Sequence, residues 1–397
     1  MSEDRFDAIV VGGGLAGITT AYQLAKEGMG VLVIERGGNC GTKNMTGGRL
    51  YTHTMEKVIP GFTELAPLER RIVKERFSLL NPTGGTTIEV DSQKLGELGS
   101  NSYSVLRSRF DQWYADMAEE AGAMFVCGVR VDDLLMRDGA VCGVVAGDEE
   151  MESDVVVLAD GVNSLLAQKA GLKQELRPEQ VEVGAKEVLA LDPAVMEERF
   201  HLVPGEGLAW TFLGNATFGH EGNGFLYTNK DTVSLGIVTS LGDLGRSEHS
   251  VVEMVDHLKS HPTVAPMIAG GKTVEYSAHL LPRGGIGMMP KLYGNGVLVV
   301  GDAAAMVINL GYIVRGMDLA VESGILAAQT ILDANKQGDF SAAALSSYER
   351  AVRESFIPRH MTYCAGYAKP LENAALYEDP AGLVSLLSEA MQPDRRN

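Results

Sequence analysis

Gly12, Gly14 and Gly17 stand at G-x-G-x-x-G spacing in Gly12-Gly13-Gly14-Leu15-Ala16-Gly17, directly after an apolar run. This spacing sets free backbone N–H groups at the start of a helix, where they and the helix dipole favour the pyrophosphate of a dinucleotide. Gly12 permits the tight turn, Gly14 lets the backbone approach the anion, Gly17 allows close helix–strand packing, and Leu15 and Ala16 carry the chain into the helix. Glu35, at the end of the next strand and followed by Arg36, can bond a ribose hydroxyl pair. A carboxylate there disfavours a 2′-phosphate and excludes NADP at this position. The other reading, a glycine-rich turn without a ligand, leaves the ordered run of strand, helix and acid unexplained.

A second signature lies far along the chain, where Gly301-Asp302-Ala303-Ala304 follows the apolar run Gly296–Val300. Asp302 can accept from a ribityl hydroxyl, with Gly301 giving backbone clearance. Gly316 and Met317 then open a long helix whose N-terminus can face the pyrimidine edge of a flavin, where partial positive charge stabilises the reduced, anionic form. A glycine-capped core helix would read the same way. Together the two signatures point to FAD rather than NAD, and to redox chemistry. Asp160-Gly161, after another strand, is either a cofactor loop or an ordinary turn. Arg107 either reaches cofactor phosphate or flavin, or is solvated surface. No Ser/His/Asp or paired-carboxylate constellation stands out, and flavin chemistry needs none. The histidines, among them His53, His201, His220 and His279, are scattered and read as surface or core residues.

The elements that must hold these residues follow from periodicity. Phe6–Val11 reads as a buried strand, 15–26 as a helix and Val31–Glu35 as a second strand, which together form one βαβ unit; Arg36–Gly48 is loop. A helix is predicted over 106–121 and strands over 124–129, 132–137, 140–146 and 154–159, with Asp138-Gly139 as a hairpin turn. From Gln174 short alternating stretches (181–189, 224–228, 232–238) predict an antiparallel sheet. The fold class is therefore α/β: a Rossmann-like FAD-binding domain with an inserted antiparallel-sheet α+β domain and a helical C-terminus. The expected division is 1–173 and 286–335 for the FAD-binding domain, 174–285 for the substrate or acceptor domain, and 336–397 for the C-terminal helical segment.

At 397 residues the chain suits two or three units around a sizeable core. A formal charge of -18 argues against nucleic acid or anionic lipid as a partner. The four cysteines, Cys40, Cys127, Cys142 and Cys364, show no metal or iron–sulfur spacing, so no metal site is expected, and their scarcity suits a reducing cytoplasm. The N-terminus runs straight into a strand, with no signal peptide expected, and no run approaches the ~20 apolar residues that span a bilayer. The expected location is cytoplasmic, with peripheral contact at the inner face of the membrane left open; Ile286-Gly287-Met288-Met289-Pro290 is either an apolar docking loop or core.

Three stretches carry a more specific resemblance: 43–51 (Lys-Asn-Met-Thr-Gly-Gly-Arg-Leu-Tyr), 279–285 (His-Leu-Leu-Pro-Arg-Gly-Gly), and 301–304 continuing to 309–320. With Gly12–Gly17, Glu35 and Asp160-Gly161 in order, nearly the whole chain resembles the FixC proteins and the electron-transfer-flavoprotein:quinone oxidoreductases. These belong to the glutathione-reductase-2 type flavoproteins that include the p-hydroxybenzoate-hydroxylase class. The resemblance implies non-covalent FAD, with Gly47, Gly48 and Tyr312 near the isoalloxazine; Asn44 and Val131 join the candidate cofactor contacts. It implies electrons arriving from electron-transfer flavoprotein subunits and leaving for a quinone at the membrane surface or a ferredoxin-like acceptor. The full-length quinone oxidoreductases carry a cysteine-ligated 4Fe–4S domain that has no counterpart in this sequence. FixC-type proteins lack it too and use a separate ferredoxin-like protein, which favours that reading. The alternatives are an NAD(P)H-dependent flavin monooxygenase, a geranylgeranyl-reductase-like flavoenzyme, or a non-catalytic flavin-binding scaffold.

Overall fold

The structure is a computed structural model that describes residues 5–44, 48–97, 101–309 and 314–371, the last eight as backbone only. The chain runs β1 (Arg5–Val11), α1 (Leu15–Lys26), β2 (Val31–Glu35), β3 (Gly48–Tyr51), β4 (Arg71–Asn81), β5 (Gly84–Asp91), β6 (Ser102–Val105) and α2 (Arg107–Glu120). It continues through β7 (Met124–Cys127), β8 (Asp133–Arg137), β9 (Ala140–Ala146), β10 (Glu149–Leu158), β11 (Val181–Ala190), α3 (Pro193–Phe200) and β12 (Glu206–Gly214). Then come β13 (Gly222–Thr228), β14 (Thr232–Ser240), α4 (Val251–Ser260), β15 (Lys272–Pro282), β16 (Tyr293–Gly294), β17 (Val297–Val299), α5 (Met317–Gln337), α6 (Ala342–Glu354) and α7 (Phe356–Leu371).

The first sheet has the order β16-β17-β10-β1-β2-β7, and β17, β10, β1, β2 and β7 run parallel. Its central strands are continuous Val, Ile and Leu because both faces are covered, as a parallel sheet requires. Helix α1 is buried on most of its surface, since it lies between that sheet and α5. Gly324 of α5 makes the approach possible: a Cβ there would stand 2.6 Å from the Ala16 carbonyl oxygen. The β8–β9 hairpin closes through Asp138 and Gly139, both at positive φ (51° and 77°), the type I′ geometry that this dipeptide favours.

The second sheet has the order β15-β11-β14-β13-β12-β4-β6-β3, with β5 on β4. It corrects the expected division at residue 174: β3 to β6, from the segment assigned to the first domain, complete this sheet. The cause is long-range pairing, with Arg71–Leu80 of β4 running parallel to Glu206–Gly214 of β12. One face packs Trp210, Phe212, Leu226, Leu235 and Ile237 against α3 and α4, with the Trp210 Nε1–H donating to Ser78 Oγ at 2.7 Å. The alternate residues of the same strands face the first sheet. In the 286–290 stretch Ile286 is exposed while Met289 packs on the main core. No helix among the described residues is long and apolar enough to cross a membrane.

Candidate functional site

A cavity of about 520 Å³ runs between the C-terminal ends of the parallel strands and the inner face of the second sheet. This is where open α/β sheets place ligands. Gly12, Gly14, Leu15 and Ala16 line it from one side, at the start of α1. Gly12 sits at φ 110°, and a Cβ there would stand 2.3 Å from the Ala159 carbonyl oxygen, so glycine is required by both conformation and space. Gly14 differs: a Cβ there would meet nothing within 4 Å and would point into open space. Gly14 also caps α1, with no side-chain cap and no acid in the first turn, which leaves the helix N-terminus free for an anion. These observations fit a bound pyrophosphate. Gly17 lies behind the wall, where a Cβ would stand 2.1 Å from the Gly12 carbonyl oxygen.

Glu35, Arg36 and Val131 line the far end. Both Glu35 oxygens are held, Oε2 by the Gly13 N–H at 2.8 Å and Oε1 by the Gly37 N–H at 2.5 Å. The carboxylate is thereby fixed at the edge of the cavity with acceptor capacity to spare for a hydroxyl pair.

Midway, the Arg107 guanidinium forks onto Asp111, with both N···O distances 2.7 Å. Asn44 Nδ2 donates to the same carboxylate at 2.7 Å. Burial works against the Arg107 charge, but Asp111 more than compensates and holds its pKa above the ordinary value. Asp302 faces this guanidinium across the cavity. Burial pushes its carboxyl above the usual range, with Arg107 and Lys173 opposing. Lys173 Nζ donates to the carbonyls of Val162 (2.8 Å) and Ala303 (3.1 Å), tying the Asp160 loop to the Asp302 turn. Asp160 accepts from Ser164 Oγ at 2.9 Å, and Gly161 turns at φ 79°. Gly301 does not line the cavity; its positive φ of 59° and its packing toward Ala16 shape the turn from behind.

At the second-sheet end, Gly48, Gly316 and Met317 meet Thr211, Asn223, Phe225, Tyr227, Val238 and His279. The first turn of α5 opens here, and its Asp318 is paired with Arg315 and lies 3.5 Å from His53 Nε2. Tyr51 lies between two guanidiniums, those of Arg49 and Arg315, each 4.8 Å from the ring centroid. Burial, with Arg107 and Arg36 adding to it, pushes the His279 imidazole down to about 4, so it is neutral at pH 7. Gly47 and Tyr312 lie outside the described residues.

Fifteen of the candidate residues thus line one cavity: Gly12, Gly14, Leu15, Ala16, Glu35, Arg36, Asn44, Gly48, Arg107, Val131, Asp160, Gly161, Asp302, Gly316 and Met317. Lys173, Phe225 and Tyr227 carry no local motif and were not singled out from sequence, and Arg49 stood out only as part of the resembling stretch 43–51. His279, read there as an isolated histidine, lines the cavity; the signal was its place in the resembling stretch 279–285. Among the described residues no group of three or more His, Cys, Asp or Glu could hold a metal ion.

Residues 7–98 match the FAD dependent oxidoreductase family model. The chain is 45% identical to the probable electron transfer flavoprotein-quinone oxidoreductase YdiS of Escherichia coli (strain K12), over 99% of this chain and 92% of the relative. It is 51% identical to protein FixC of Salmonella typhi, over 89% and 83%. Its fold is that of a geranylgeranyl bacteriochlorophyll reductase-like protein from Thermoplasma acidophilum, at TM-score 0.77 and 22% identity over 97% of this chain and 92% of that one.

Proposed function

The chain belongs to the family of the FixC proteins and electron transfer flavoprotein-quinone oxidoreductases, and on that premise we propose that it accepts electrons from an electron-transfer flavoprotein and passes them to a quinone or a ferredoxin-like acceptor. It is an FAD-dependent electron-transfer oxidoreductase. The near full-length identity to YdiS carries the proposal of donor and acceptor. FAD, when bound, supplies the redox chemistry.

The residues divide the labour along the cavity. Glu35 binds the adenosine ribose, and the N–H groups at the start of α1 hold the pyrophosphate with Arg107. Asp302 accepts from the ribityl chain, held in place by Lys173. The N-terminus of α5 and the inner face of the second sheet flank the isoalloxazine and keep bulk water from it. Phe225, Val238 and Met317 supply apolar surface there, and Tyr227, whose phenol is pushed up to about 12 by burial, supplies a hydroxyl that stays protonated.

The test is an anaerobic titration of the FAD-loaded protein with reduced electron-transfer flavoprotein, and with NADPH in parallel. Rapid bleaching of the flavin by the protein donor, with NADPH inert, is the expected result. Reduction by NADPH alone would overturn the reading and favour a monooxygenase or reductase.

A further inference from the structure

Lys186 of β11 is fully buried, an uncommon place for an ammonium group. In the pairing of β11 with its neighbours, Gly184 lies beside Val238 on one side and His279 on the other, both of which line the cavity. Lys186 is two residues further on and so shares that face. Gly236, its register partner on β14, shows how closely it sits behind the wall. A Cβ at 236 would stand 2.5 Å from Phe225 Cζ and 2.9 Å from Lys186 Cβ, and Phe225 lines the cavity.

Burial pushes the Lys186 ammonium down to about 7, with Glu275 of β15 opposing and Arg107 of α2 adding to the effect. The other titratable groups on this face are His279, which is neutral, Tyr227 of β13, whose phenol burial keeps protonated, and Glu182, which accepts from Asn309 Nδ2 and is raised to about 8 by burial. At neutral pH the amine is therefore poised between its two forms. Negative charge appearing in the cavity next to it favours the protonated one.

We propose that above neutral pH Lys186 takes up a proton from solvent each time the FAD in this cavity is reduced by two electrons, and releases it on reoxidation. The balance is simple: two electrons and one proton enter the flavin, one further proton converts the Lys186 amine to an ammonium, and no other bond changes. The inference rests on the cavity holding FAD but not on the identity of the electron donor.

The experiment is the pH dependence of the two-electron midpoint potential of bound FAD, poised electrochemically so that no protein donor is needed. Each proton taken up changes the reduction equilibrium tenfold per pH unit, about 30 mV for a two-electron couple. Between pH 7.5 and 9 the native protein is expected to change about tenfold more per unit than Lys186→Met, with Glu182 contributing alike to both. Lys186→Arg, charged throughout, is expected to show the slope of Lys186→Met at a higher potential, and it carries the test if the Met variant does not fold. Equal slopes in native protein and variant would overturn the inference and leave the proposed donor and acceptor untouched. A native chain that binds no FAD would instead remove the cofactor assignment beneath both.

Discussion

Gly14→Ala and Gly17→Ala, three residues apart in one motif, are expected to fail in opposite ways. At Gly17 the added methyl would stand 2.1 Å from the Gly12 carbonyl oxygen and 3.1 Å from Val10 Cγ1, so the helix must move off the strand. Overpacking of this kind costs about 1–3 kcal/mol, and the cofactor-free protein should melt several degrees lower. At Gly14 the backbone is extended (φ -91°, ψ 177°) and the methyl meets nothing within 4 Å, so the empty fold should keep its stability to within about 1 kcal/mol. That methyl does, however, occupy the space where a pyrophosphate must approach. Losing one charge-assisted hydrogen bond at about 1.5–3 kcal/mol predicts FAD binding weaker by roughly 10- to 150-fold. Thermal melting of cofactor-free protein gives the first quantity, and titration of FAD fluorescence gives the second. Native FAD affinity in Gly14→Ala would refute the placement of the anion at this loop, whatever the Gly17 variant does.

Glu35→Gln should leave a neutral amide with one acceptor oxygen where the Gly13 and Gly37 N–H groups both donate, and it removes an acceptor for the ribose. FAD affinity should fall by at least tenfold, about 1.4 kcal/mol, in the same fluorescence titration. Glu182 gives a pH prediction, because burial raises its carboxyl to about 8. The folded state then binds more protons than the unfolded state between pH 4.5 and 8, so this group's contribution to stability declines as pH rises through that window. Glu182→Gln should flatten the decline in denaturant-unfolding midpoints measured from pH 5 to 8, and an unchanged slope would show that another group causes it.

The first half of the site was legible because its determinants are local. A strand, three glycines, a helix and an acid fall within Arg5–Glu35, and the Asp138-Gly139 turn is specified by two residues whose φ values only such a dipeptide adopts readily. The wall opposite was not. Arg71–Leu80 meets Glu206–Gly214 only through the finished sheet, and periodicity in either segment says nothing of the other. Lys173 is the sharpest case: an ordinary lysine in sequence, it becomes a tie between the Asp160 loop and the Asp302 turn only because Val162 and Ala303 converge on it. Lys186 was hidden for the reverse reason, since alternation identifies the strand but not which face a single polar residue will be buried on.

The parallel pairing of β4 with β12 also fixes an order of assembly. Register partners Arg71 and Glu206 are separated by 135 residues, and Val156 of β10 waits as long for Val297 of β17. At a synthesis rate of about 5–20 residues per second, each early strand stands with an open edge for roughly seven to thirty seconds. Neither half of the second sheet is a module that can be finished early, or cut out and expressed alone. The cavity exists only after the last strand docks, so FAD, placed there as proposed, enters as a closing ligand that captures the completed fold by mass action. Starving a nascent chain of flavin should therefore lower its yield more than its rate of initial collapse.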